Sequence, residues 1–224
     1  TDTPAMHAIV FGKGGIVEGG AAGKTLIDMS SIEPTATVEM AARLREKCGM
    51  AWIDAPVSGG PTACAAGTLT VMAGGDSTDF ARVEDVINHL AARVTLMGPN
   101  GAGQITKLVN QALVGGTLAL VAEAIQFAQD AGVDAAKIPT ALAGGRADSP
   151  VLQEWGTRMI AKDYAPTATV NIVRKDLDTV ARAAQGPGTP MPVVNAAGDV
   201  FRLAARLGFG ELDVCAVKKV YDSE

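Results

Sequence analysis

From residue 1 to about residue 100, short apolar runs bounded by turn residues alternate with amphipathic stretches. Leu26-Ile27-Asp28-Met29 reads as a buried strand after the turn Ala22-Gly23-Lys24. Pro4–Val10 and Pro34–Lys47 have helical spacing, with Ser31 or Glu33 near the start of the second. Ala51–Asp54 and Leu69–Ala73 are further strands, the latter closed by Gly74-Gly75-Asp76. Residues 78–91 predict a helix and Arg93–Met97 a last strand. Strands alternating with helices predict an α/β layer architecture.

Beyond Gly101 the strand pattern disappears. Apolar residues recur at helical spacing from near Gly103 to Ala131, where Gly132 stops them. That length suits a helix joining two domains. Ala135–Leu142, Pro150–Ala161, Val170–Ala184, Met191–Arg206 and Asp213–Tyr221 predict further helices, separated by Gly-rich turns. The expected fold class is therefore α/β followed by all-α, with domains at 1–100 and 101–224.

Composition sharpens this picture. Hydrophobic residues make up 48% and charged residues 19%, which excludes a disordered chain. Aromatics supply only 4%, so the core must be aliphatic. The net charge is −5 without clustered cations, which argues against nucleic acid as a partner. The most apolar stretch, Leu108–Ala128, is interrupted by Asn110, Gln111, Glu123 and Gln126, so no membrane span is expected. Cys48, Cys64 and Cys215 lie far apart, fitting neither a disulfide framework nor zinc but a cytoplasmic location. The sequence opens at Thr1 without Met, and we expect a processed start or part of a longer chain.

Chemistry is harder to read. Gly12-Lys13-Gly14-Gly15 and Gly101-Ala102-Gly103 lack the third glycine of a dinucleotide fingerprint, and no strand precedes the first; a turn and a helix entry explain them. Asp54-Ala55-Pro56-Val57-Ser58-Gly59-Gly60 follows a strand, so it emerges where ligands bind in open α/β folds. Ser58, Gly59 and Gly60 offer a hydroxyl and unshielded N–H groups suited to an oxyanion, although the same composition makes ordinary turns. Lys107 has Asn110 and Gln111 on nearly the same helix face. A partly desolvated lysine can transfer protons near neutral pH, whereas an isolated one is usually a solvated surface residue. Lys175-Asp176, beside Arg174 and Asp178, reads by spacing as a solvated face. His7 and His89 have no partners at ligand spacing, so no metal site is expected.

In order along the chain, Asp28-Met29-Ser30-Ser31-Ile32-Glu33-Pro34, the Asp54–Gly60 run, Gly67-Thr68-Leu69, Gly101-x-Gly103-x3-Lys107-x2-Asn110 and Lys175-Asp176-Leu177 form a series. That series resembles the β-hydroxyacid dehydrogenases over essentially the whole chain. The resemblance implies a truncated Rossmann-type parallel sheet, a long connecting helix and a helical C-terminal domain. It implies NAD or NADP as cofactor and a small carboxylate-bearing semialdehyde or hydroxy acid as substrate. Ser58, Gly59 and Gly60 would hold the substrate carboxylate, Lys107 would transfer the proton, and Asn110 or Gln111 would assist. Ser31 would lie beside the nicotinamide and its ribose, Lys175 would reach the cofactor and Asp176 would support the site. Lys-x-x-Asn-Gln is more similar to the tartronate semialdehyde (2-hydroxy-3-oxopropionate) reductases of that family than to its 3-hydroxyisobutyrate dehydrogenases, where Asn-Asn is usual. Ala168 stands where the family often has an aromatic.

The strand, G-x-G-x-x-G turn and helix that open the family's pattern do not appear. Roughly two βα units, on the order of 60 residues, are expected to be missing, and the polypeptide as given is expected to bind cofactor weakly or not at all. Two readings follow: an oxidoreductase incomplete at its amino end, and a non-catalytic dimerisation remnant lacking cofactor binding. The abundant aliphatic surface after Gly101 predicts a homodimer or homotetramer.

Overall fold

The computed structural model describes residues 2–222, which divide into two compact units between Leu108 and Val109. The first unit opens with α1 (Thr3–Phe11), whose N-terminus is capped by the Asp2 carboxylate. Then come β1 (Thr25–Asp28), α2 (Pro34–Cys48), β2 (Ala51–Asp54), β3 (Val57–Ser58) and α3 (Gly60–Ala66). After β4 (Leu69–Gly74), α4 (Ser77–Ala81), α5 (Glu84–Asn88) and β5 (Ala91–Gly98), the long helix α6 (Ala102–Asp130) begins. Pro34 sits at the first helical position of α2, where its missing N–H is harmless, and Gly49 closes that helix at φ 74°.

The sheet is mixed. β1 and β2 run parallel, with Asp28 beside Asp54, and β4 and β5 run parallel; the two pairs oppose one another across β2 and β4. β2 and β3, separated by Ala55-Pro56, both pair with β4. Side chains alternate across β2, so Trp52 joins a cluster with Met6, Val10, Met40 and Leu44 from α1 and α2. Ile53 joins the other cluster, with Val71, Phe80 and Ile87.

Most expected elements appear within a residue or two of their predicted ends. The stretch 78–91 differs: it forms two short helices interrupted at Val83 (φ −121°, ψ −4°), and Ala91 already belongs to β5. Helix α3 and the two-residue strand β3 are not among the expected elements. The second unit continues with α7 (Ile138–Leu142), α8 (Thr157–Ala161), α9 (Val170–Ala183) and α10 (Pro192–Ala204); a 3-10 turn leads into α7, a π turn lies between α7 and α8, and another follows α10. The last predicted helix is a 3-10 helix, Val214–Tyr221, started by the Asp213 side chain. Leu177 of α9 lies so close to Gly115 of α6 that a Cβ there would approach it to 2.8 Å.

The junction of β2 with α6 fixes the first unit. Asp54 is fully buried, and its Oδ1 accepts the Gly101 N–H at 2.9 Å while Oδ2 accepts the Gln104 N–H at 3.2 Å. The carboxylate thereby satisfies donors that a helix start leaves orphaned, and the helix dipole favours its negative charge. The approach leaves no room for a side chain at Gly103, whose Cβ would lie 2.4 Å from the Met72 carbonyl oxygen. Asp54→Asn replaces one acceptor by a donor that faces an N–H. We expect a loss of about 2–3 kcal/mol, read by urea unfolding; a change below ~0.5 kcal/mol would refute the assignment.

Candidate active site

In the first unit, the loop after β1 is held from both sides. Asp28 Oδ1 accepts the Ser30 N–H at 2.9 Å. Gln104, 1% exposed, donates from Nε2 to the Ser30 carbonyl at 2.9 Å and accepts the Ile32 N–H at 3.2 Å. Ser31 lies between these anchored groups and is itself exposed. Asp28 is 2% exposed, and its Oδ2 has no hydrogen-bond partner among the described residues. Burial pushes its carboxyl pKa above the usual range, against the opposing hydrogen bonds from Ser30, and neighbouring Asp54 adds to the rise.

Ser58 ends β3, and Gly59 and Gly60 follow at φ 128° and 65°. Two consecutive residues in this region need glycine, and a Cβ on Gly59 would also meet that of Ala63 at 2.5 Å. This run is thus conformationally demanding as well as turn-like in composition. Lys107 is half-buried on α6, in the turn after Gln104.

The second unit gathers four of the expected residues. Asn110 donates from Nδ2 to Gln111 Oε1 at 2.8 Å, and Gln111 donates from Nε2 to Asp176 Oδ2 at 2.5 Å. Lys175 Nζ lies 3.2 Å from Asp176 Oδ1. The Asp176 side chain is only 15% exposed against 63% for Lys175, so the pair is not simply a solvated face. Ala168 precedes α9, and its carbonyl accepts the Val214 N–H at 2.9 Å.

The structural roles of Asp54 and Gln104 are not legible from the sequence alone. Asp54 was visible within the run at 54–60, and its signal was a charge ending a strand that is otherwise apolar. Gln104 gave no signal, because one amide near a helix start has many explanations. The glycine runs are structural: Gly12 closes α1 by donating to the Ala8 carbonyl, and Gly101 and Gly103 admit the β2–α6 junction. Among the described residues, no group of three His, Cys, Asp or Glu side chains is gathered for a metal ion. The exposed Ser31 stands between two pinned peptide groups just beyond the carboxyl end of β1, the end of a strand at which open α/β folds bind their dinucleotides, and its hydroxyl fits a polar group of such a ligand.

Comparison with known proteins supplies the family. Residues 1–98 match the family profile described as the NAD binding domain of 6-phosphogluconate dehydrogenase. Residues 101–221 match the profile described as NAD-binding of NADP-dependent 3-hydroxyisobutyrate dehydrogenase. The chain is 37% identical to 2-hydroxy-3-oxopropionate reductase of Escherichia coli over 216 residues, covering 96% of this chain and 74% of that protein. It is 30% identical to 2-(hydroxymethyl)glutarate dehydrogenase of Eubacterium barkeri, covering 97% and 72%. The crystal structure of 3-hydroxyisobutyrate dehydrogenase from Salmonella typhimurium superimposes with a TM-score of 0.88 at 29% identity, covering 98% of this chain and 76% of that one. These matches define an oxidoreductase that uses NAD or NADP. The chain belongs to the β-hydroxyacid dehydrogenase family.

The buried carboxyl of Asp28 makes a prediction about pH. Because its folded pKa is raised, its contribution to stability is fully present below the unfolded value near 3.9 and is lost as pH rises through the folded one. Asp28→Asn removes that loss. We expect the variant to be more stable at pH 7 by about 1 kcal/mol, with the gap closing towards pH ~3.5. Urea melts across this range test it, and a wild type more stable at pH 7 would contradict it.

Proposed function

We propose that this protein reduces tartronate semialdehyde (2-hydroxy-3-oxopropionate) to the hydroxy acid, or runs the reverse oxidation. The observation that carries the reading is the 37% identity to the Escherichia coli reductase of that name. The order Lys107, Asn110, Gln111 on one helix supports it. In the first unit, Ser58 with the Gly59 and Gly60 N–H groups holds the substrate carboxylate, which orients the aldehyde. Ser31 contacts the nicotinamide and ribose. When bound, the reduced cofactor supplies the hydride. Lys107 donates a proton to the carbonyl oxygen as negative charge builds there, and in the reverse direction its neutral amine accepts the alcohol proton. In the second unit, Asp176 steadies Gln111 and Lys175, and Asn110, tied to Gln111, keeps an amide N–H and its carbonyl for further hydrogen bonds. Oxidation of 3-hydroxyisobutyrate is the second reading, favoured by the close superposition on the Salmonella enzyme.

The test is a substrate panel on the complete gene product. Tartronate semialdehyde and methylmalonate semialdehyde are compared with NADH and with NADPH. We expect the former to be preferred and Lys107→Ala to lower kcat by about 10²–10⁴ with an unchanged circular dichroism spectrum. Preference for methylmalonate semialdehyde would select the second reading. Turnover of Lys107→Ala within ~10-fold of wild type would remove the lysine from its role.

We further propose that the protein is a homodimer or homotetramer. Val109, Leu113, Leu120 and Phe127 of α6 are 54%, 66%, 65% and 75% exposed, and their spacing puts them on one face. This helix has the length and apolar character of a membrane span. Its opposite side packs within the second unit, where Gly115 meets Leu177 and Val121 and Ile125 meet Gly156, which supports a subunit contact rather than a bilayer. Light scattering at micromolar concentration should return a dimer or tetramer mass. A monomer would contradict the proposal.

A further inference from the structure

Gln104 is a polar side chain buried as completely as the core around it, at 1% exposure. An apolar residue of similar volume would fill that slot without desolvating an amide. What the amide adds is a donor and an acceptor side by side, the pattern of a peptide group. It uses both on one loop: Nε2 donates to the Ser30 carbonyl at 2.9 Å, and Oε1 accepts the Ile32 N–H at 3.2 Å. The two bonds bracket Ser31 and replace a rung of strand pairing where β1 has already ended. The backbone of Gln104 is fixed in turn, since its N–H donates to Asp54 Oδ2 at 3.2 Å. Asp28 holds the Ser30 N–H, so three of the backbone groups flanking Ser31 are occupied. Lys107 stands three positions further along the same helix, one turn away.

We infer that Gln104 is a positioning residue: it locks the Ser31 loop to the turn of α6 that carries Lys107, and so sets how the loop meets the nicotinamide end of the cofactor. This rests on the roles proposed above for Ser31 and Lys107. Gln104 is buried and spends its amide on the loop, so it acts through the loop. The consequence is a selective one. Without the clamp the loop should hold cofactor poorly, while the Ser58-Gly59-Gly60 corner, built on β3, should bind the substrate carboxylate as before.

Two measurements decide it. Hydrogen exchange compares wild type with Gln104→Leu, which keeps the bulk and removes both bonds, and with Gln104→Glu, which keeps the acceptor for Ile32. In Gln104→Leu the Ile32 amide should exchange at least ~10-fold faster while amides within α2 and α6 keep their protection. In Gln104→Glu the Ile32 amide should stay protected. Steady-state kinetics of the complete gene product then separates the two substrates. Gln104→Leu should raise KM for NAD(P)H ~10-fold and leave KM for the semialdehyde within ~2-fold. Unchanged exchange at Ile32 would overturn the clamp, and so would loss of protection throughout α2 and α6. Equal effects on both KM values, or none, would overturn the positioning role. A wild type inactive with every semialdehyde would instead overturn the functional reading, a result distinguishable because the exchange experiment needs no turnover.

Discussion

A carboxylate without solvent is unstable unless hydrogen-bond donors surround it, and at Asp54 those donors are the N–H of Gly101, just before α6, and that of Gln104 in its first turn. Neither partner is easily accommodated alone. The helix start would be buried with orphaned donors, and the strand would end in a bare charge. Together they define where α6 leaves the sheet. The glycines around this point follow from it. Gly74 and Gly103 have no space for a Cβ because the Asp54 side chain or the neighbouring main chain already occupies it, and Gly101 adopts φ 91° to turn into the helix. A run that resembles a phosphate loop in composition is thus a joint between a strand and a helix. Gln104 and Lys107 inherit their positions from it.

The same helix uses amides twice, each time to reach another segment within its own unit. Gln104 pins the loop after β1, and Gln111 reaches Asp176 on α9. Amides suit this purpose better than charges. They bond to a peptide or a carboxylate without adding a charge that must itself be neutralised, and they lock one orientation because donor and acceptor differ. In a helix otherwise rich in Ala, Leu, Val and Gly, such side chains are both packing elements and alignment devices.

How much of this was legible in the sequence depended on the range of the interaction. The strands at Leu26, Ala51 and Leu69 and the helices α2 and α6 were readable because periodicity and local breakers decide them. The split of residues 78–91 into two helices was not, since the change at Val83 has no Gly or Pro to announce it. Helix α3 was hidden by a composition, Gly-Pro-Thr-Ala, that serves a turn equally well. Of the candidate site residues, Lys107 and Ser58 stand out only through the order of motifs along the chain, as spacing alone favours surface and turn. Gln104 lay beyond reach, because its partners are 72 and 74 residues away and nothing local marks them.

The departure at position 111 illustrates why one methylene matters. Gln111 spans from α6 to Asp176 Oδ2 while its own oxygen accepts from Asn110, and Lys175 takes Asp176 Oδ1. An asparagine at 111 is shorter by about 1.5 Å and would leave the carboxylate oxygen without that donor unless the helices shifted. Asp176 is mostly enclosed, so an unmatched oxygen there would be destabilising. With glutamine, both carboxylate oxygens are engaged, and Asn110 is tied to its neighbour through a single N–H. Its second N–H and its carbonyl keep the capacity for further hydrogen bonds. The residue pair therefore divides the labour: Gln111 braces the acid, and Asn110 presents an amide whose orientation that brace determines.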